Sequence, residues 1–424
     1  MLTLIERLTA VLPLVLIALA FVQLRDDDAL ATGRVIQTLL AAAGAALFAA
    51  LVAGADAALT QLAVACGALL AALSFAMGPS PVPSGIAEPA RPRAMLVLLG
   101  VVALLALAPA DLPSGLLWVS WLVLAAWATH RRHRAELRTL AVPAIGAASV
   151  IAGATADGLV GPWLMLIGAA ATLPLVPFHG WYLSLFAEGR TSHRAFVAAL
   201  LPMMALILLL DLPAAARDAI GPVLATWGAA SLGYAALRAF GQSELRRVLA
   251  FAAMASAALV ALGVGNAGAA AAGGAALQAL SLAVGSGGMV LLCGRLASPS
   301  FGLPLRGLGG LAEVAPRLAF ALVLLTLTLM QTPALGGFAA WWLVLMGSEN
   351  AVSVAALALL LLLGASVVAR LLREVVYGPP GSLTARQQDL APRELALLGV
   401  LVGVDLVLGL APGMVLGGAG LFPN

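Results

Sequence analysis

A chain of 424 residues with 62% hydrophobic and 10% charged residues and a mean hydropathy of +1.07 cannot be wrapped into one water-soluble globule, and it reads as a helical integral membrane protein. The formal charge of +3 comes from 22 basic against 19 acidic residues, and every basic one is arginine, since no lysine occurs. These arginines sit in loops between apolar runs, which explains the basic balance better than a nucleic-acid partner would. The two cysteines, Cys66 and Cys293, lie inside apolar runs and read as small buried side chains rather than a disulfide or metal site.

In chain order, residues 8–24 are long enough to span and lack both a basic leader and a small-residue exit site, so they are expected to form a retained first helix rather than a signal peptide. Windows of about 20 apolar residues then give about 14 spans, centred near residues 16, 44, 67, 102, 121, 147, 168, 204, 229, 257, 281, 331, 363 and 406. The longest connection, 78–93, is proline-rich and reads as a stiff extended crossing. The connection after span 5 carries His130, Arg131, Arg132, His133 and Arg134, most simply a determinant of orientation. Span 7 is broken at its middle by the run 173–181 (LPLVPFHGW), with Pro174 and Pro177. Span 12 is broken in the same way by 332–338 (TPALGGF), with Pro333, Gly336 and Gly337. Paired interruptions of this kind point to a transporter-type fold with two related halves.

Such an opened helix leaves backbone groups unpaired in hydrocarbon unless protein or water lines the break. With this span assignment all arginines except Arg7 and Arg217 fall on connections that share one face. By the positive-inside rule that face is cytoplasmic and both termini are extracytoplasmic. The connections are too short for a soluble catalytic domain. No nucleophile, phosphate loop or redox-cofactor motif is visible, and His130, His133, His179 and His193 do not make a metal-ligand spacing. No catalytic chemistry of its own, no cofactor and no metal are therefore expected.

The run Pro177-Phe178-His179-Gly180-Trp181, followed by Glu188-Gly189-Arg190-Thr191 and Ala195-Phe196, resembles a signature of the antiporter-like membrane subunits shared by respiratory complex I, Mrp antiporters and membrane-bound hydrogenases. Residues 242–263 (QSELRRVLAFAAMASAALVALG), 308–311 (LGGL) and 328–338 (TLMQTPALGGF) are similar to further motifs of that family, in the same order. The resemblance covers roughly residues 118–377 and is closest in size and ending to the shorter complex I members, without the long lateral helix of some relatives. It implies an all-α polytopic fold with two inverted five-helix repeats, spans 4–8 and 9–13, whose seventh and twelfth spans are the broken ones. The implied units are 1–93 (spans 1–3 and the proline-rich loop), 94–212 (first repeat), 213–377 (second repeat) and 378–424 (a loop and span 14).

In members that move protons, the resemblance implies a relay of buried ionisable groups: a glutamate on span 5, lysines on spans 7 and 8, and a lysine or glutamate on span 12. Here the corresponding positions carry Leu122, Thr172, Pro202 and Trp341, with Ser286 on span 11. Arginine cannot stand in as a proton shuttle, because it does not deprotonate in proteins. The remaining candidates for an ion path are His179, Glu188, His193, Asp405, Arg370 and Glu374. Asp405 is the carboxylate deepest in a span and needs a partner. That partner is either within this chain or on a neighbouring subunit.

The reading that follows is an antiporter-like subunit of a multi-subunit proton- or cation-translocating complex, mainly structural, with its proton path lost or rerouted. One alternative is an active proton- or sodium-translocating subunit of an NADH–quinone-type or hydrogenase-type complex. Another is the membrane subunit of a proton-coupled inorganic-carbon uptake complex. The expected partners are other membrane subunits, the lipid bilayer and cytoplasmic redox subunits, in an energy-coupling membrane.

Overall fold

The computed structural model describes residues 134–413, apart from 157, 159, 188–191, 211, 267 and 297–301, together with short helical pieces between 12 and 72, of which 37–43 is the longest. Spans 4 and 5, the proline-rich loop, Cys66, Leu122 and the cluster 130–133 lie outside the described residues, and spans 1–3 are described only in part. The start of the expected 94–212 repeat also lies outside them.

The described residues are helical throughout, with one isolated bridge between Glu244 and Pro304. In chain order the helices are α1 (Arg134–Thr155), α2 (Val160–Thr172), α3 (Gly180–Ala187), α4 (Ser192–Leu210), α5 (Ala214–Phe240), α6 (Leu245–Gly265) and α7 (Ala269–Arg295). A 3-10 turn at Leu305–Leu308 and a one-turn helix, α8 (Leu311–Val314), lead into α9 (Pro316–Leu329), α10 (Gly336–Met346), α11 (Ala351–Leu371) and α12 (Pro392–Leu410). Among them α5, α6, α7 and α11 with its extension to Val376 are long and apolar enough to cross a membrane, and α1, α2, α4, α9 and α10 contribute shorter apolar stretches. Alanine and leucine fill these helices because both are strong helix formers. Interior prolines such as Pro143, Pro202 and Pro222 are carried without ending a helix, as is common when neighbouring helices supply the lost contacts.

Two gaps in helicity match the proline-bearing runs. Helix α2 ends at Thr172, the chain turns through 173–179, and α3 restarts at Gly180. Helix α9 ends at Leu329, the chain turns through 330–335, and α10 restarts at Gly336. At the second gap Gln331 (φ 47°) and Ala334 (φ 78°) occupy left-handed backbone, a conformation that costs a residue with a Cβ about 1–2 kcal/mol. Ala334→Gly is therefore expected to stabilise the purified protein by about 1 kcal/mol, seen as a higher midpoint of thermal unfolding in detergent.

The interior is organised around α6 and α7. Of the most apolar stretch of each, 94% is buried, against 39% for α11. Helix α7 packs against α4, α6, α9, α10 and α12 and also touches α3, so one helix borders the distal half of both broken spans. Close approach depends on Gly274, where an added Cβ would lie 2.8 Å from the Ala340 carbonyl and 2.8 Å from the Val344 side chain of α10.

The arginines of the described helices gather at one end of the bundle. Arg246 donates to the Cys293 and Leu296 carbonyls at the end of α7, Arg317 to the Leu390 carbonyl, and Arg295 pairs with Glu394 at 3.4 Å. Backbone bonds from Leu245 to Leu303, from Gly381 to Gly309 and from Leu383 to Gly307 tie the same end together. Arg217, in the first turn of α5, belongs to the opposite end.

Candidate functional site

Each gap has its freed backbone groups lined by side chains from neighbouring helices. At the first, the Val176 amide donates to Ser231 Oγ (3.1 Å), the Trp227 indole donates to the Val176 carbonyl (2.6 Å), and the Trp181 indole donates to the Ala171 carbonyl (2.8 Å). At the second, the Leu329 carbonyl accepts from both Ser256 Oγ (2.6 Å) and Gln331 Nε2 (3.0 Å), and Gln331 Nε2 also donates to Ser256 Oγ (3.0 Å). This is the internal satisfaction that an opened helix in hydrocarbon requires. Ser256→Ala removes two of these bonds and is expected to lower stability by about 1–2 kcal/mol, measured as the unfolding midpoint of the purified protein.

His179 ends the first gap, half-buried, with its ring edge-on to Tyr234 at 5.2 Å and its Nδ1 buried without a hydrogen-bond partner. Tyr234 in turn meets Phe251, over which Arg238 lies at 5.7 Å. Deeper in, fully buried Tyr182 lies alongside Ser286 without reaching hydrogen-bond geometry to any group. Ser286 itself donates to the Ala198 carbonyl of α4 at 3.1 Å.

The second gap holds the other polar cluster. Asp405 of α12 is 0% exposed, so it does not lie on the outer face, where a neighbouring subunit would touch it directly. Its Oδ1 sits where Gly336 lacks a side chain, 2.6 Å from the place a Cβ would occupy. Ser281 Oγ of α7 is 3.3 Å from the equivalent point on Gly337, and the Thr328 carbonyl is 3.2 Å from it. Asp405 therefore meets the first turn of α10 and Ser281 together. The Ser281 hydroxyl and the Gly336 amide approach its carboxylate, yet neither carboxylate oxygen, nor Ser281 Oγ, has a partner of hydrogen-bonding geometry. Gln331 Oε1 and Gln278 Oε1 are likewise buried without partners. Gln278 lies about one turn before Ser281 on α7.

The other candidate residues are held differently. Arg370 donates to the Phe240 and Gln242 carbonyls at the end of α5 (3.2 and 2.8 Å), closing the orphan acceptors of a helix C-terminus. Glu374 pairs with Arg370 at 3.9 Å and with Arg373 at 2.8 Å, in the π-helical turn that follows α11. His193 lies in the first turn of α4, with its side chain outside the described residues, as is Glu188 altogether. Two of the described positions expected to correspond to the family relay have their polar side-chain atoms engaged. Thr172 Oγ1 donates to the Gly168 and Ala169 carbonyls (3.0 Å each), and the Trp341 indole donates to Leu357 of α11 at 3.0 Å. Pro202 lies inside α4.

Gln331, Ser256, Ser281 and Tyr182 were not singled out by sequence reasoning. A signal existed for Gln331, an amide directly before Thr332-Pro333 in an otherwise apolar run. Ser256, Ser281 and Tyr182 are ordinary in sequence and become informative only when their helices are packed.

A family model described as NADH:quinone oxidoreductase/Mrp antiporter, TM, matches residues 114–369. Similar sequences include NAD(P)H-quinone oxidoreductase chain 4 of Gloeobacter violaceus, 27% identical over 58% of this chain and 50% of its own length. NADH-quinone oxidoreductase subunit M of Rickettsia typhi is 25% identical over 60% of this chain and 53% of its own. The chain thus spans about half the length of the curated relatives it matches. Among solved structures, a chain of respiratory complex I from Thermus thermophilus superposes with a TM-score of 0.70 at 22% identity, over 96% of this chain and 98% of that one. A chain of the membrane-bound sulfane sulfur reductase, an archaeal respiratory membrane complex, gives 0.78 at 17% identity over 98% and 78%. One of the Mrp complex from Dietzia sp. gives 0.72 at 17% over 98% and 96%. At these identities the structures establish the fold.

Proposed function

Because the chain belongs to the NADH:quinone oxidoreductase/Mrp antiporter transmembrane family, we propose that it is an ion-translocating membrane subunit of a multi-subunit complex of the NADH–quinone or hydrogenase type. The path uses this chain's own buried polar groups in place of lysines. The observation that carries this reading is that one buried helix, α7, carries polar residues to both gaps, Ser286 beside Tyr182 at the first and Ser281 beside Asp405 at the second, with buried Gln278 on the same helix. Polar groups buried in a membrane are costly and are kept where ions or protons pass. The matching relatives carry quinone-oxidoreductase names, which favours this reading over a purely structural subunit.

A structural role has its own support in Thr172 and Trp341, whose donors are committed to backbone carbonyls at two of the relay positions. We assign the arginine-rich end of the bundle to the cytoplasm, and the two repeats to 94–212 and 213–377.

The test is purification of the tagged chain in mild detergent, identification of what accompanies it, and reconstitution of the assembly for ion flux. Redox or hydrogenase subunits are expected to copurify, and the vesicles are expected to transport protons or Na⁺. A chain that purifies alone, or an intact assembly that moves no ion, overturns the proposal.

A further inference from the structure

We infer that residues 377–391, between α11 and α12, form a clamp on the start of α9, and that clamp, α9 and the second gap open and close as one cooperative unit. Asp389 is its positioning residue. The clamp does not depend on the proposed transport role.

The segment is fastened to the 3-10 turn and the glycines that follow it. The Gly381 amide donates to the Gly309 carbonyl (3.0 Å), the Leu383 amide to the Gly307 carbonyl (2.9 Å), and Thr384 Oγ1 to the Gly309 carbonyl again (2.6 Å). A side chain at Gly309 would collide with the Pro379 carbonyl, so the two backbones lie in direct contact. Thr384, Gln387 and Leu390 are buried, whereas a connection of ordinary kind runs exposed over the surface.

From there the segment grips α9 at two points. Asp389 Oδ1 accepts the Leu318 amide at 2.9 Å, and Arg317 donates in return to the Leu390 carbonyl at 3.1 Å. Leu318 is the third residue of α9, which has no side-chain cap from its own preceding residue, Ala315. The first amides of a helix lack intrahelical acceptors, and a carboxylate there also meets the positive end of the helix dipole. The cap is thus supplied from 71 residues away.

The other end of α9 is the rim of the second gap. Its 14 residues run about 20 Å to Leu329, whose carbonyl accepts from Ser256 and Gln331. The Met330 and Thr332 amides bond back to carbonyls of the last turn of α9. Segments joined end to end by such bonds open as contiguous units. The first gap is held instead by Ser231 and Trp227 of α5. Loosening the clamp therefore loosens the second gap and leaves the first shut, which gives the arginine-rich end of the bundle a handle on one gap alone.

Hydrogen–deuterium exchange of the full chain in its purified assembly tests this with Asp389→Ala, Asp389→Asn and Thr384→Val. Asp389→Ala is expected to speed exchange across 318–335 by roughly fivefold, and Asp389→Asn, which keeps an oxygen acceptor, by less. Thr384→Val removes the bond to Gly309 without altering α9, and it is expected to speed exchange across 318–335 as well. Residues 173–179 are expected to be unchanged in all three variants. Faster exchange confined to 318–320 in Asp389→Ala, or to 305–311 and 377–391 in Thr384→Val, overturns the clamp. An equal rise at 173–179 also overturns it, since that would mark a general loosening of the bundle. Should Asp389→Ala fail to assemble, Thr384→Val decides alone.

Discussion

Asp405→Asn is expected to lower ion flux through the reconstituted assembly by about a hundredfold or more while the chain stays folded and bound to its partners. The carboxamide has the shape of the carboxylate but neither takes up and releases a proton nor supplies a full negative charge to a cation. Because Asp405 is fully buried and its oxygens lack hydrogen-bond partners, exchanging it for a neutral group removes a desolvation cost. Stability is expected to be unchanged or slightly higher. The opposite signs make the outcome diagnostic. A residue that merely anchors α10 would lose stability on substitution and leave flux unchanged in whatever protein remained assembled. Proton and Na⁺ flux in vesicles, read beside an unfolding curve of the same preparation, separates the two.

The largest loss of stability is expected from Glu394→Ala. Glu394 is 2% exposed, pairs with Arg295 at 3.4 Å, and accepts the Ala391 amide at 2.7 Å to close the start of α12. The substitution strands a largely buried guanidinium and opens a helix N-terminus together. A cost of about 3–5 kcal/mol is expected from breaking the pair alone. The double variant Arg295→Met with Glu394→Gln, in which neither charge is stranded, is expected to recover a large part of it. Glu394→Gln alone keeps an acceptor for the Ala391 amide but gives up the charge; if it restores what Glu394→Ala loses, the cap and not the pair carries the energy.

The two gaps in helicity could be located from composition because proline removes an amide and crowds the preceding turn, and Pro174, Pro177 and Pro333 all fall in non-helical backbone. The lining of those gaps could not be located in the same way. Ser256 reaches a carbonyl 73 residues away, and Trp227 one that is 51 residues away. Distances of that kind arise only from helix packing, which hydropathy does not encode. Asp405 stood out in sequence as a carboxylate in an apolar run, but its neighbours Ser281 and Gly336 belong to two other helices. Arg370 illustrates the converse. Its i, i+4 spacing to Glu374 is plain in the row, whereas the Phe240 and Gln242 carbonyls it serves are 130 and 128 residues distant. The membrane class and the family relationship rest on features that survive without tertiary information, namely hydropathy and short ordered motifs. The residues available to replace the lysines do not.

Helix α7 also has a mechanical consequence. Ser281 and Ser286 are five residues apart, so they stand about 7.5 Å apart along the axis and point about 140° away from one another around it. One hydroxyl lies near Asp405, and the other lies alongside Tyr182 while donating to the Ala198 carbonyl. Both hydroxyls are borne by one rod, so any displacement of that rod would shift the polar lining of the two gaps together.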